Sequence, residues 1–144
     1  MEGTDGVLYG TAYGNEDTPN AGAVFKLNKD GTGYQVLHTF NSGAGDGLDP
    51  AAGVVQGTNG VLYGTTAYGN VGPGTLFEIN PEGTDFAILY TFCACFGDGQ
   101  IPVAGLVQAS DGQLYGTAVV GGAASVSSAL AAHAMADCSN RSAA

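Results

Sequence analysis

The tetrapeptide Leu-Tyr-Gly-Thr occurs three times in this sequence, at residues 8–11, 62–65 and 114–117. When the copies are aligned, residues 75–92 repeat the pattern of residues 23–40, and the period is about 52 residues. The same blocks recur in the same order. The sequence is therefore that of a tandem-repeat protein.

Each period contains four short apolar runs with the composition of β-strands. In the second copy these runs are residues 53–56, 61–66, 75–80 and 87–92. The pair Asn59-Gly60 separates the first two runs, and residues 80–83 separate the last two. Glycine in such turns supplies the positive φ of a tight hairpin. The pattern predicts four antiparallel strands in each repeat.

Alternation within the runs assigns side chains to the two faces of each strand. Lys26 in the third run is replaced by Glu78 in the next copy, and a charge that changes sign in this way is expected to face solvent. In the fourth run, Val36, His38 and Phe40 are predicted to share a face.

A four-stranded antiparallel repeat of this length is the blade pattern of a β-propeller. A β-solenoid is the competing architecture, but its coils are usually shorter and do not need two tight hairpins in each repeat. We therefore predict an all-β fold of propeller blades, with an incomplete ring in one chain. Residues 1–122 are expected to contain a partial blade, a full blade and a second partial blade.

The two ends of the sequence depart from the repeat. Residues 123–144 are rich in Ala and Ser, and we expect a poorly ordered, non-repeat tail there. Residues 1–6 stand where the other copies have their first strand, so the innermost strand of the first blade is expected to be missing. A closed propeller needs roughly four or more blades, and open strand edges favour association. We predict a homo-oligomer in which roughly two or three chains complete a ring.

The order of the blocks resembles the GloVer tandem-repeat family. The resemblance rests on LYGT, a Gly-rich loop, a GT(V/L)F strand, an Asp-Gly turn, a VLHTF-like strand and an AG(L/V)VQ strand. The Asp-Gly-x-Leu-Tyr core, at residues 111–115, is also similar to that of regulator-type propeller repeats. The resemblance implies an extracellular β-propeller of bacterial surface or exported proteins, with no established activity.

The charge of the chain excludes several classes of partner. Thirteen acidic residues against three basic ones give a formal net charge of −10, so phosphate backbones and anionic lipid surfaces are not attracted. No run approaches the roughly 20 apolar residues of a membrane-spanning helix. The first residues lack the basic start and apolar core of a signal peptide. We predict neither nucleic-acid binding nor membrane insertion.

The cysteines are Cys93, Cys95 and Cys138. Cys93 and Cys95 are two residues apart on a predicted strand, a spacing that rarely meets disulfide geometry. We therefore expect a reduced, buried pair. Zn²⁺ bound by the cysteines and His133 is an alternative, although this spacing matches no recognised zinc motif.

The longer loops are predicted to lie together at one end of the blades. In an antiparallel blade, the second-to-third loops and the blade-to-blade loops share an end, and loops at such an end commonly carry binding residues. Tyr13, Asn15, Tyr68 and Asn70 lie on them. Tyrosine rings stack on sugars and amides bind hydroxyls, so this set predicts carbohydrate binding. The alternative is that the Gly-Asn and Asp-Gly pairs only shape turns.

Asp46, Asp49 and Asp98 lie on the same loops and offer carboxylates to Ca²⁺, which oxygen ligands bind. The spacing is not that of a complete EF-hand loop, and the second copy keeps only one of the two acids. A Ca²⁺ site is thus an alternative to a module without a cofactor.

The sequence is poor in catalytic residues. It contains two histidines and no GxSxG, HExxH or phosphate-loop motif. His38 lies on a strand, where a packed histidine is more common than a general base. We predict a non-enzymatic binding or structural module of a surface or exported protein. The alternative is a hydrolase on the long-loop face, in a metal-dependent or a metal-free form, with His38 and Asp46 as its acid–base pair.

Overall fold

The computed structural model of the chain describes residues 1–14, 20–41, 45–69, 72–93 and 98–121. Within these ranges the protein contains β-strands and no helix, so none that could cross a lipid bilayer. The strands are β1 (Leu8–Tyr13), β2 (Asn20–Leu27), β3 (Gln35–Asn41), β4 (Gly47–Leu48), β5 (Val55–Gln56), β6 (Leu62–Thr66), β7 (Tyr68–Gly69), β8 (Thr75–Ile79), β9 (Ala87–Thr91), β10 (Gly99–Gln100), β11 (Val107–Gln108), β12 (Leu114–Tyr115) and β13 (Val120–Gly121). They form several antiparallel sheets, none of which closes on itself in the described ranges. The prediction of an all-β fold is confirmed.

The second repeat forms a four-stranded antiparallel sheet in the order β5-β6-β8-β9. These strands coincide with the four apolar runs of the sequence. Gly60 (φ 84°) lies in the turn between β5 and β6, and Gly83 (φ 86°) lies in the turn between β8 and β9. Both values lie in the left-handed region that glycine adopts without steric cost, so the predicted turn glycines are confirmed.

The first and third repeats are represented by fewer strands in the described ranges. The first repeat forms the three-stranded sheet β1-β2-β3, and the third contributes the hairpin β11-β12. A single antiparallel bridge between Glu2 and Leu8 takes the place of a first strand in the first repeat. That strand is thus reduced to a bridge, whereas the sequence predicted that it was missing. The predicted tail, 123–144, lies outside the described residues.

A β-bulge corrects the predicted faces of β3. Val24 of β2 lies opposite His38, but the next residue, Phe25, lies opposite Val36. Because Val24 and Phe25 point to opposite faces, Val36 and His38 do too. The prediction that Val36, His38 and Phe40 share a face is therefore wrong for Val36. The same register shift occurs between β8 and β9.

The hydrophobic core lies between the first and second repeats. Phe40 of β3 meets Phe77 of β8 edge to face, with ring centroids 5.3 Å apart, and both rings are fully buried. The core also includes Val24, Leu37, Leu62 and Ile79. Burial of one such side chain contributes about 1.5–3 kcal/mol. Each repeat is therefore stabilised by the neighbour that covers its face.

The glycine of the Leu-Tyr-Gly-Thr block makes room for a phenyl ring in the same sheet. Gly64 lies directly opposite Phe77, and a Cβ atom at Gly64 would clash with the Cζ atom of that ring. At Gly10 a Cβ would lie 2.7 Å from Cζ of Phe25. The structure shows that the close contact is between paired strands of one sheet.

Candidate functional site

The long loops at one end of the sheets are joined to one another by short pairings between repeats. β4 follows the last strand of the first repeat and pairs with β7, which follows the second strand of the second repeat. β10 and β13 make the same pairing one repeat later. The loops predicted to carry a ligand are therefore also the loops that connect neighbouring repeats.

Tyr13 and Tyr68 are exposed at this end. Tyr13 is the last residue of β1 and is 61% exposed, whereas Tyr68 begins β7 and is 40% exposed. Both rings are accessible enough to stack on a ligand. Asn15 and Asn70, the amides predicted to act with them, lie outside the described residues.

The third repeat does not continue this tyrosine pattern. Val120 lies opposite Gln100 in the β10–β13 pairing, as Tyr68 lies opposite Leu48 in the β4–β7 pairing. Among the described residues at this end of the sheets, an exposed tyrosine ring is therefore present in the first and second repeats only.

His38 and Asp46 are in contact, as the hydrolase alternative requires. His38 Nε2 lies 3.0 Å from Asp46 Oδ2, and the two side chains are 20% and 13% exposed. The imidazole stacks on Phe86 of the second repeat, with ring centroids 3.6 Å apart and planes 7° apart, and meets Phe40 edge to face. The pair is therefore packed into the contact between two repeats.

The next repeat builds the same contact with a different side chain. Tyr90 donates a hydrogen bond to Asp98 Oδ2 at 2.9 Å, and the backbone N–H of Cys93 donates to the same oxygen at 2.8 Å. Tyr90 aligns with His38, and Asp98 aligns with Asp46. Histidine in one repeat and tyrosine in the next both attach a loop aspartate to the last strand of the sheet. This shared role is structural.

Asp49 is a buried carboxylate in an unusual backbone conformation. It is 2% exposed and has φ 58°, and its Oδ1 atom has no hydrogen-bond partner among the described residues. Ile101 has the same conformation in the next repeat, with φ 59°. The conformation therefore belongs to the repeat, and the carboxylate is particular to the first copy.

The predicted Ca²⁺ ligands do not form a cluster in the described part of the chain. There, no group of three or more His, Cys, Asp or Glu side chains lies close enough to hold a metal ion. Asp46 and Asp98 are each bonded within their own repeat. The Ca²⁺ site stays a prediction.

Cys93 is disulfide-bonded. The expectation of a reduced thiol is therefore wrong at this position, and Cys93 has no thiolate to offer to Zn²⁺. The other residues of the predicted Zn²⁺ set are Cys95, His133 and Cys138. All three lie outside the described residues, and so does the cysteine that pairs with Cys93. The spacing argument applies to two cysteines on one straight strand. It does not exclude a disulfide across a bend or with a cysteine that is distant in the sequence.

The tyrosine of the Leu-Tyr-Gly-Thr block closes the hairpin that precedes it. Tyr9 donates to Asp5 Oδ2 at 2.6 Å, and the Val7 N–H donates to Asp5 Oδ1 at 3.0 Å. The tyrosine bond first, and then the backbone bond, lower the pKa of Asp5 below its usual 3.8. Burial, and then the hydrogen bond to Asp5, raise the pKa of Tyr9 above its usual 10.0. Tyr9 is therefore a neutral donor at ordinary pH.

The other two copies use the same i, i+4 pairing. Tyr115 donates to Asp111 Oδ2 at 2.9 Å, and Asn59 donates from Nδ2 to the Tyr63 hydroxyl at 2.8 Å. The backbone N–H of Gln113, followed by the tyrosine hydroxyl, lowers the pKa of Asp111. These tyrosines therefore stabilise the hairpin turns.

Two glutamines join the repeats, and the sequence assigned them no role. Gln56 Oε1 accepts a hydrogen bond from the Thr4 N–H of the first repeat at 2.8 Å, and Gln108 Oε1 accepts one from Thr58 of the second repeat at 2.9 Å. Each glutamine also donates from Nε2 to a carbonyl in its own hairpin turn. The sequence feature that could have identified these glutamines is the recurrence of Gln after the Val-Val pair of one repeat and the Leu-Val pair of the next.

Further polar contacts follow the same repeat order. Thr11 donates from its hydroxyl to the Ala52 carbonyl at 3.0 Å, and Thr65 donates to the Pro102 carbonyl at 3.4 Å. Lys26, which was expected to face solvent, donates to the Pro81 carbonyl of the second repeat at 2.9 Å. The threonine of the Leu-Tyr-Gly-Thr block thus contacts the following repeat.

Recurring sheets, turn contacts and inter-repeat hydrogen bonds define an all-β tandem-repeat protein. The family model described as the Gloeobacter/Verrucomicrobia repeat matches residues 1–130. The chain therefore belongs to the Gloeobacter/Verrucomicrobia repeat family, and the resemblance to GloVer repeats is confirmed. No curated protein matches the chain.

Proposed function

We propose that the protein is a non-enzymatic, propeller-type binding or structural module of a bacterial surface or exported protein. The observation that carries the proposal is the recurrence of one contact set at successive junctions. The Gln–Thr hydrogen bond and the β4–β7 type of pairing each occur at both junctions. Identical junctions allow repeats to add side by side, as blades do in a propeller.

The arrangement of the second repeat favours a propeller over a solenoid. Four strands run as a meander within one sheet, and the chain then crosses to the first strand of the next sheet. The sheets pack through their faces, as Phe40 against Phe77 illustrates. Further copies of the chain would complete a ring of such blades.

Export is supported by the disulfide at Cys93. Disulfides persist in oxidising compartments and are rare in the cytosol of most bacteria. Cell fractionation tests this part of the proposal. The protein is expected in the periplasm, on the surface or in the medium, and an exclusively cytosolic, reduced protein would contradict it.

The ligand class we propose is a neutral oligosaccharide, bound at Tyr13 and Tyr68. Two exposed aromatic rings at one end of successive repeats suit stacking on sugar faces. The net charge of −10 disfavours acidic glycans. The site is open at the surface, which suits a recognition module.

The test is binding of neutral oligosaccharides, first on an array and then by calorimetry with monovalent ligand. Tyr13→Ala and Tyr68→Ala are each expected to weaken binding roughly two- to twelvefold, because one stacked ring contributes about 0.5–1.5 kcal/mol. Tyr34→Ala is the matched control, since Tyr34 is also 61% exposed but lies beside Phe25 on a sheet face. Equal losses in all three variants would reject the proposed site.

A hydrolase is the second candidate, and the 3.0 Å contact between His38 and Asp46 favours it. His38→Tyr separates the two candidates, because it installs the side chain that the next repeat uses against Asp98. A hydrolase would lose turnover of ester, phosphoester or glycoside substrates in this variant. A binding module would show no turnover in either form and would keep its stability and its ligand affinity.

A further inference from the structure

One face of the first repeat matches a buried face of the second repeat, residue by residue. We call it the leading face. It consists of Leu8, Phe25, Leu27, Tyr34 and Val36, which align with Leu62, Phe77, Ile79, Phe86 and Ile88. The Phe25–Tyr34 rings lie 5.5 Å apart at 36°, and the Phe77–Phe86 rings lie 5.8 Å apart at 33°. The two faces therefore have a similar apolar composition and nearly the same ring geometry.

The two faces differ in what covers them. Leu62, Phe77 and Ile79 are 0% exposed because the first repeat packs on them. Tyr34 is 61% exposed and Val36 is 42% exposed, and no described repeat packs on the leading face. At the interior junction, the equivalent face of the second repeat is covered by another repeat. A repeat of the same type therefore also fits the leading face.

A complementary surface lies at the other end of the described repeats. We call it the trailing face, and it consists of Val107 and Val119 of the third repeat. Both residues are 64% exposed. Their counterparts at interior junctions are better covered: Val55 is partly buried and Ala67 is 2% exposed.

A hydrogen bond crosses each interior junction. Its acceptor has a counterpart beside the leading face, and its donor has a counterpart beside the trailing face. Glu2 bridges to Leu8 as Gln56 pairs with Leu62, so its carboxylate stands where an acceptor is needed. Ser110 aligns with Thr58, whose N–H is the donor at an interior junction. The ion pair between Glu2 and Lys29 does not prevent this contact, because both side chains are more than half exposed and such pairs contribute little.

We propose that a second copy of this chain docks head to tail, with the leading face of one copy on the trailing face of the other. Glu2 of one copy accepts a hydrogen bond from the Ser110 N–H of its partner. The inference rests on the repeat-packing part of the proposed function and is independent of the ligand. The contact is heterologous, so its repetition closes a ring or extends a filament.

The test uses the full chain and two single substitutions. Val36→Glu places a charge in the leading face, and Val107→Glu places one in the trailing face. Both positions are exposed in a single copy, so neither variant is expected to unfold, and far-ultraviolet circular dichroism checks this. Val103→Glu is the matched control. Val103 is 40% exposed, and its interior counterpart Ala51 is exposed although repeats flank it on both sides.

Native mass spectrometry and sedimentation over roughly a hundred-fold concentration range give the readout. The wild-type chain and Val103→Glu are expected to assemble as concentration rises. Val36→Glu and Val107→Glu are each expected to weaken assembly roughly a hundred-fold, because a buried, unpaired charge is costly. When the two variants are mixed, each retains one intact face, and a heterodimer that grows no further is expected.

Three results would overturn the inference. They are a monomeric wild-type chain at all concentrations, assembly that Val107→Glu leaves intact, and a mixture that forms no heterodimer. The second would indicate face-to-face pairing of leading faces. A monomeric wild-type chain that still binds oligosaccharide would overturn the assembly of copies and leave the proposed ligand site standing, whereas an assembling chain without a ligand would contradict the binding proposal alone.

Discussion

At the scale of single residues, Gln56 shows how one side chain can join two repeats. Its Oε1 accepts the Thr4 N–H and its Nε2 donates to the Gly60 carbonyl. The contact with Thr4 cannot be derived from the sequence, because its donor is a backbone group 52 positions away. The sequence shows only that Gln recurs, as Gln108 does one repeat later.

Gln56→Ala is expected to lower the free energy of unfolding by about 1–2 kcal/mol, because two hydrogen bonds of about 1 kcal/mol are lost. Gln56→Glu is expected to cost less, since a carboxylate keeps the acceptor and loses only the donor. Urea denaturation measures both. Gln35→Ala, at an exposed position that starts β3, is the control and is expected to be neutral. Equal effects at Gln35 and Gln56 would contradict the assigned role.

At the scale of elements, the strands that the sequence predicts well are those with long apolar runs between glycine turns. β6 and β8 are such strands, and the Asn-Gly and Pro-Glu-Gly turns set their pairing with β5 and β9, respectively. β4 and β7 contain two residues each, too few for any periodicity. The bulge in β3 is also invisible, because one extra residue between Val36 and His38 changes the face without changing the composition.

The predicted glycan site also has one feature that follows from the sequence and others that do not. Exposure of Tyr13 and Tyr68 follows from their position after a strand on a polar loop. The pairing of that loop with the neighbouring repeat does not follow, since it depends on how two sheets face each other. The contact between His38 and Asp46 also depends on the loop conformation, and its structural character is visible only beside Tyr90 and Asp98.

The first hairpin turn should respond to acid. The pKa of Asp5 is lowered in the folded protein, chiefly by the Tyr9 hydroxyl. A lowered folded-state pKa gives a contribution to stability that is present above the usual value of 3.8 and is lost as pH falls through the folded value. Tyr9→Phe removes the largest cause, so the pKa of Asp5 is expected to rise toward 3.8.

Carboxyl NMR measures this pKa directly, and denaturation at about pH 7 and about pH 3 measures its effect on stability. Tyr9→Phe should reduce the acid sensitivity of the turn. Tyr63→Phe is the control, because the Tyr63 hydroxyl accepts a hydrogen bond from Asn59 and does not face a carboxylate. An Asp5 pKa that does not move in Tyr9→Phe would show that the hydroxyl is not the cause.

At the scale of the whole molecule, stability comes from repeats that cover one another's faces. The core cluster spans two repeats, and Phe40 and Phe77 are its largest fully buried side chains. A chain built in this way is approximately a sum of repeats and junctions. The exposed leading and trailing faces are the two sides of this junction without their neighbours, and a second copy of the chain supplies the side that each one lacks.

The central claim is that successive repeats are coupled through their faces, and a double-mutant cycle across Phe40 and Phe77 tests it most directly. Phe40→Leu and Phe77→Leu, singly and together, are measured by urea denaturation. The rings meet edge to face at 5.3 Å, so a coupling energy of about 0.5–1.5 kcal/mol is expected. The control cycle pairs Phe40→Leu with Phe92→Leu, a buried ring whose aromatic contact among the described residues is with Tyr90, and should be additive. Additivity of Phe40 and Phe77 as well would contradict the packing of one repeat on the next.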